Sequence, residues 1–130
     1  MSIESTVNQD LNTILRTVTG ELVMSDLKQA LTESTLHPDF KTNMHVIWDL
    51  TDADISKCST AELIEAVEFI HSSSESRGDD YKIVIVAPED LSFGISRMFE
   101  AFGNKLSISI HVLRSIDKAY QCIEEKYDTD

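Results

Sequence analysis

The sequence predicts an α/β domain built on a mixed, mostly parallel sheet. Two stretches, Met44 to Leu50 and Tyr81 to Ala87, are close to continuously apolar rather than alternating, the pattern of strands covered on both faces. Segments with helical spacing of apolar residues stand between and after them. The resulting order, β-β-α-β-α-β-α-β-α, alternates strands with helices. It implies right-handed crossovers and parallel pairing, with an N-terminal hairpin supplying the antiparallel member and about four helices in all.

Each element has a local reason. Residues 3–9 read as a short edge strand, and Asn8-Gln9-Asp10 has turn chemistry. Asn12 to Thr19 is rich in β-branched residues and is expected to stop at Gly20. Its buried face is ambiguous, because Ile14 and Val18 share a side with Arg16. Ser25 is the expected N-cap of a helix carrying Leu27, Ala30 and Leu31, which ends before His37-Pro38.

The strand from Met44 is expected to end at Leu50 in an acidic turn, Thr51-Asp52-Ala53-Asp54. Ser59-Thr60-Ala61-Glu62 matches a capping box, opening a helix through Leu63, Ile64, Val67 and Ile70. Residues 72–80 read as a polar loop. Pro88 halts the strand that follows. Asp90 is the expected cap of a helix with Phe93, Ile95, Met98, Phe99 and Phe102 on its inner side, leaving through an αL exit at Gly103-Asn104. Leu106 to Val112 alternates as an edge strand should, and Ser115 caps a last helix with Ala119, Tyr120 and Ile123.

With 130 residues the chain fits one domain, 1–130, with 1–2 and 127–130 expected to fray. The formal net charge of −12 argues against binding a phosphate backbone or an anionic membrane surface, which both require Lys and Arg. Cys58 and Cys122 do not make a disulfide framework, so reduced thiols in a cytoplasm are expected. The start, Met1 to Ser5, lacks a basic region followed by an apolar run, so no secretory signal is expected. No apolar stretch approaches bilayer length.

The segments Val18-Thr19-Gly20, Trp48-Asp49-Leu50 and Pro88-Glu89-Asp90-Leu91-Ser92-Phe93-Gly94, in this element order, resemble the small SpoIIAA-like proteins of the STAS fold. That group includes the bacterial anti-sigma-factor antagonists. Those antagonists carry a strand ending Asp-Leu, then Asp-Ser-Ser/Thr-Gly opening a helix, with a serine phosphorylated by a partner kinase. Asp49-Leu50 matches. Lys57, Cys58, Ser59 and Thr60 stand where the Asp, the phosphoacceptor, the next hydroxyl residue and the Gly belong, so the standard phosphoserine motif is lacking.

The resemblance implies a non-enzymatic cytoplasmic interaction domain of regulatory use. A protein partner is expected to dock on the helix after residue 58 and the loop before it, through Asp49, Asp52, Asp54, Cys58, Ser59 and Thr60. The alternative is a small apolar or lipid-like ligand between the 91–102 helix and the sheet, with Trp48, Phe93 and Met98 as its apolar contacts and Arg97 holding an acidic head group. Gly94 would allow close approach there. A homodimer is a further expectation, because folds of this class often pair and the strand near Ile108 has no proline or inward charge to blunt its edge.

The residues themselves point to no chemistry. The histidines are scattered, no Cys-x-x-Cys is present, and no metal or cofactor is expected. The three aspartates lack the spacing of a calcium loop. A lowered thiol pKa at a helix start would make Cys58 reactive, but a packed thiol is the expected role. No nucleophile elbow or glycine-rich phosphate loop occurs.

Overall fold

In the computed structural model, which describes residues 2–125, a single five-stranded sheet has the order β1-β2-β3-β4-β5. The strands are β1 (Ser2–Asn8), β2 (Thr13–Glu21), β3 (His45–Asp54), β4 (Lys82–Val86) and β5 (Ser109–Leu113). β1 pairs antiparallel with β2, and every other neighbour is parallel. The helices are α1 (Met24–Thr35), α2 (Thr60–Ser72), the single turn α3 (Ser74–Arg77), α4 (Asp90–Phe102) and α5 (Ile116–Glu124). The expected fraying at Met1 and 127–130 lies outside the described residues, save for Ser2, which opens β1.

The helices are distributed as the strand order requires. From β2 to β5 the sheet grows in one direction without reversing. Right-handed crossovers in such a sheet all fall on one face, so α1, α2 and α4 share a layer. The other face is left for α5. Register then assigns the side chains. Ile14, Val46, Ile83 and Ile110 are partners across the sheet, as are Arg16, Trp48, Ile85 and Val112. This face meets the three-helix layer: Val46, Trp48, Ile83, Ile85, Ile110 and Val112 pack there with Leu31, Ile70 and Leu50, and Arg16 reaches α1 from it. The intervening rank, Leu15, Ile47 and Val84, packs on Ala119, Cys122 and Ile123 of α5. β3 and β4 are therefore dry on both faces, as their apolar runs predict.

Several local expectations need correction. β3 does not turn after Leu50. It continues to Asp54, pairing Asp52 with Thr19, Ala53 with Gly20 and Asp54 with Glu21. Gly20, at φ 81, carries β2 onward instead of stopping it. The register advances two residues in β2 against three in β3 between Thr17 and Thr19, a bulge in β3.

α1 starts at Met24 with Val23 at the N-cap and no side-chain cap, so Ser25 lies inside the first turn. The chain is held to the sheet up to Leu22, whose N–H donates to Asp54 O at 2.9 Å, and the helix begins directly afterwards. α4 has Glu89 at its N-cap, and Asp90 instead accepts from Arg114 at 2.9 Å. Gly103 sits at φ −89, not αL. Its lack of a side chain serves close packing, since a Cβ there would lie 2.5 Å from Ile110 Cδ1.

The 72–80 loop contains α3, and the strand expected from Leu106 begins at Ser109. The capping box holds as read: Ser59 Oγ accepts from Glu62 N at 3.1 Å, and Glu62 Oε1 accepts from Ser59 N at 3.0 Å. Cys58 packs in the three-helix layer and Cys122 in the α5 layer, on opposite sides of the sheet. Among the described residues, no helix is long and apolar enough to cross a membrane.

Candidate functional site

Where α1, α2 and α4 lean on the sheet they do not close completely. A cavity of about 80 Å³ remains, walled by Leu27 and Leu31 of α1, Leu63, Ala66 and Ile70 of α2, and Ile95 and Phe99 of α4. Trp48, Leu50 and Ile85 form its sheet side. Leu22, Met24, Ile55 and Cys58 supply the wall where the strands end and the helices begin. The lining is apolar, with one side-chain hydroxyl.

That hydroxyl belongs to Ser96. It is 3% exposed, and among the described residues its Oγ has no hydrogen-bond partner. A buried hydroxyl without a partner costs about 1–3 kcal/mol, so it stands out in an otherwise dry wall. A second hollow, of about 240 Å³, lies between α2, α3 and residues 105–108. Polar residues Ser74, Asp79, Lys105 and Ser107 line much of it, which suits water.

Next to the cavity sits a charge cluster that the sequence leaves unannounced. Arg16 is fully buried and Arg77 is 3% exposed. Both donate to the same oxygen, Ser34 Oγ, from Arg16 Nη2 at 2.8 Å and Arg77 Nη1 at 3.0 Å. Arg16 also donates to Ala30 O, and Arg77 to Leu31 O, each at 3.2 Å. Both guanidiniums thus dock on the carboxyl-terminal half of α1, where the helix dipole places partial negative charge.

Aromatic faces add to this: Arg16 lies 5.0 Å from the Trp48 ring centre, and Arg77 lies 5.8 Å from Phe40 and 5.9 Å from Tyr81. Among the described residues no carboxylate pairs with either arginine, and both Nε atoms lack acceptors. Burial first, then the charge of Arg77, push the Arg16 pKa down to about 9, which still leaves it a cation at neutral pH. The available signal for Arg16 was its position between Ile14 and Val18 at strand spacing. For Ser96 it was the spacing Ser92, Ser96, Phe99 along one helical stripe. Nothing in the sequence singled out Arg77.

The expected ligand-contact residues separate. Trp48 lines the cavity. Phe93 is half-buried but outside the cavity wall, with the Arg114 guanidinium 3.9 Å from its ring centre. Arg97 is exposed and paired with Glu100 at 2.8 Å. Met98 is 41% exposed. The residues of α4 that reach the cavity are Ile95, Ser96 and Phe99, and nothing lies within 4 Å of a Cβ built on Gly94.

The expected partner-docking residues also divide. Cys58 lines the cavity. Ser59 and Thr60 are exposed at the start of α2. Asp49 is in register with Thr17 and Val86 on the α5 side of the sheet, and its Oδ1 is held by Thr51 N and Oγ1. Asp52 and Asp54 lie at the exposed end of β3. The Ser56 hydroxyl, at 2.6 Å, and its backbone N–H, at 2.9 Å, hold the Asp54 carboxyl below its ordinary pKa. Among the described residues no group of three acidic, His or Cys side chains could hold a metal ion.

The Cys58 thiol is pushed up, not down. Burial dominates, and the charges of Glu62, Asp54 and Glu21 add to it. Burial in apolar surroundings raises a thiol pKa, and Cys58 stands one residue before the N-cap of α2. The same observation places three carboxylates within electrostatic reach of a cavity-lining atom.

No protein-family model matches this chain, and no curated protein sequence does. Among solved structures it is similar to an uncharacterised DUF3478-family protein from Shewanella loihica PV-4, at 16% identity and a TM-score of 0.55. The match covers 94% of this chain and 92% of that one, and that protein is described as having a SpoIIAA-like fold. With its hairpin-led parallel sheet, three helices on one face and one on the other, this chain therefore has a SpoIIAA-like fold.

Proposed function

We propose that this chain is a non-catalytic binding domain whose ligand is a small, largely apolar molecule held in the cavity between α1, α2, α4 and the sheet. One observation carries this reading: the unpartnered, buried Ser96 hydroxyl in an otherwise apolar wall. Small-molecule sites are mostly apolar and use a few placed polar groups to fix orientation. A ligand with one hydrogen-bonding group would satisfy Ser96 and fill the space around it. At about 80 Å³ the cavity is smaller than the engineered cavity of about 150 Å³ that admits benzene. Its occupant is therefore a short aliphatic group of a few carbons, smaller than an aromatic ring and far shorter than a lipid tail.

Native mass spectrometry of the protein as isolated from cells tests this. A small-molecule adduct that denaturation releases is expected, and it should be absent from an Ala66→Leu variant, in which the cavity is filled. An adduct retained by that variant would place the ligand elsewhere. Ser96→Ala gives a second check: without ligand it should stabilise the fold by about 1 kcal/mol, because it removes an unsatisfied buried group. A loss of that size would mean that Ser96 has a partner within the fold.

A second reading is a regulatory domain that docks a protein. It is favoured by the exposure of Asp52 near the end of β3 and of Ser59 and Thr60 at the start of α2. Ser59→Glu or Asp52→Lys should then abolish capture of a purified partner without shifting the melting temperature. We keep with it the cytoplasmic setting and the homodimer expected from the sequence. β5 is an edge strand open to a second copy, and sedimentation of a Val112→Pro variant against the parent decides that point.

A further inference from the structure

The larger hollow, of about 240 Å³, opens where three segments part at the amino-terminal ends of β4 and β5. α2 ends at Ser72, and α3 turns aside with Arg77, its last residue, held by Leu31 O and Ser34 Oγ of α1. Gly78, at φ +93, then swings the chain towards β4. On the far side, Leu106 N donates to Gly103 O at 3.0 Å in a turn, and β5 does not begin until Ser109. Residues 105–108 therefore stand outside the sheet, and the hollow lies between them and the α2–α3 corner.

Its lining is divided. Ile70, Leu106 and Ile108 make an apolar side. The same space is lined by one permanent cation, Lys105, one carboxylate, Asp79, the His71 imidazole and the hydroxyl residues Ser74, Ser107 and Tyr81. Among the described residues none of these six side chains makes a hydrogen bond. For the five exposed ones, water is the ordinary partner. Tyr81 is different: it is 4% exposed, and a buried tyrosine hydroxyl usually finds a partner. The two charges differ as well. Lys105 and Asp79 are opposite in sign and line one hollow, yet they are paired neither with each other nor with any other described residue.

A space held open between unpaired opposite charges, with an apolar side, suits a molecule that carries both charges itself. Small-molecule sites combine apolar lining with a few placed polar groups in this way. At about 30 Å³ of liquid volume per water, about 240 Å³ takes roughly eight waters, or one small amino acid in their place. We infer that this hollow is a second binding site, separate from the apolar cavity, and that its ligand is a small zwitterion, an α-amino acid with a short aliphatic side chain. Its carboxylate meets Lys105 and its ammonium group meets Asp79. Its side chain lies on Ile70 and Ile108, and Tyr81 supplies a further hydrogen bond.

Leucine and two truncated analogues separate these contributions. The nitrogen-15-labelled protein is titrated with L-leucine, with 3-methylbutan-1-amine, which lacks the carboxylate, and with 4-methylpentanoate, which lacks the ammonium group. Amide shifts at Ser74, Gly78 and residues 105–108 are expected. Leucine should bind about fivefold more tightly than either analogue, the size that one solvated ion pair supports. Lys105→Met should remove the advantage of leucine over the amine, and Asp79→Asn its advantage over 4-methylpentanoate. Both substitutions are on the surface, and the spectra themselves show whether the fold is kept. Equal binding of the three probes, an unchanged preference in either variant, or no shifts at these amides would overturn the assignment. Shifts at Leu27, Ile95 and Ser96 in their place would overturn it too, and would locate the amino acid in the apolar cavity.

Discussion

Replacing Ser34 by alanine looks conservative on a helix, yet the structure makes it one of the costliest single-atom deletions in the domain. Ser34 Oγ accepts from two buried guanidiniums, at 2.8 and 3.0 Å, and donates to Leu31 O at 2.9 Å. A hydrogen bond to a charged group contributes about 1.5–3 kcal/mol, and a buried donor left without an acceptor forfeits its hydration as well. Two such bonds give roughly 3–6 kcal/mol, offset by about 0.5 kcal/mol because alanine is the better helix former.

We therefore expect a net loss of about 3 kcal/mol, a large share of the roughly 5–15 kcal/mol that holds a domain folded. In urea, with m of about 1–3 kcal/mol/M, the midpoint should fall by about 1–3 M. Trp48 fluorescence follows the transition, because Arg16 lies against that ring. Combining Ser34→Ala with Arg77→Met should recover part of the loss, since one of the two stranded donors is then gone, and the coupling should be about 1.5 kcal/mol. A loss below about 1 kcal/mol with no coupling would refute the reasoning: the arginines would then have other acceptors, and Ser34 would not join them.

Three further predictions follow from single contacts. His45 Nδ1 accepts from Lys82 N at 3.0 Å, and burial, then the charge of Lys82, hold its pKa below the ordinary 6.5. The neutral ring is the form that folding favours, so its contribution is present above pH 6.5 and is lost as pH falls through the lower folded value; chemical denaturation of His45→Asn should show a shallower loss of stability over that window than the parent, and an equally steep loss would contradict this. Ser59→Ala removes the N-cap of α2 and should cost about 1 kcal/mol, or about 3–5 °C in melting temperature, with an unchanged melt counting against the capping box as a stabilising device. Gly78 has φ +93, and a Cβ there would meet Asn43 Oδ1 at 2.0 Å. Gly78→Ala should cost about 2 kcal/mol or more in urea unfolding, because Asn43 also receives the Asp80 N–H and donates to Arg77 O; an unaltered midpoint would show that this junction gives way freely.

Hydrophobic period made most of the fold legible. The runs around Trp48 and Val84 read as strands buried on both faces because helices cover both sides of the sheet, and the alternation from Leu106 to Val112 read as an edge strand because β5, which begins at Ser109, is one. The capping box at Ser59 was readable because both of its bonds are local. Ser25 and Asp90 were misread for a matching reason: their roles depend on partners outside their own segments. The pairing of β2 with β3 runs on to Glu21 and Asp54 and fixes where α1 can start, and Arg114, 24 residues away in sequence, draws Asp90 aside.

The same limit applied to the site. Trp48 could be placed because it is a large apolar residue on a central strand. Phe93 does pack against the core but stays outside the cavity wall, Met98 is exposed, and the residues of α4 that reach the cavity are Ile95, Ser96 and Phe99. Strand order also mattered. A sheet that grows in one direction has no crevice from reversal at its carboxyl end, so the aspartates of β3 do not converge as a loop cluster. Asp49 is directed to the α5 side. Arg77 could not be placed from sequence, because its partners in α1 are 43 and 46 residues distant.

The account depends most on the cavity beside Ser96 being where a ligand sits. Intermolecular nuclear Overhauser effects from the methylene protons of bound propan-1-ol measure this directly. Contacts to Ile95, Leu27 and the Trp48 ring are the predicted result. Contacts confined to the exposed apolar side chains Leu36, Leu91 and Met98, with none to the cavity wall, would contradict it.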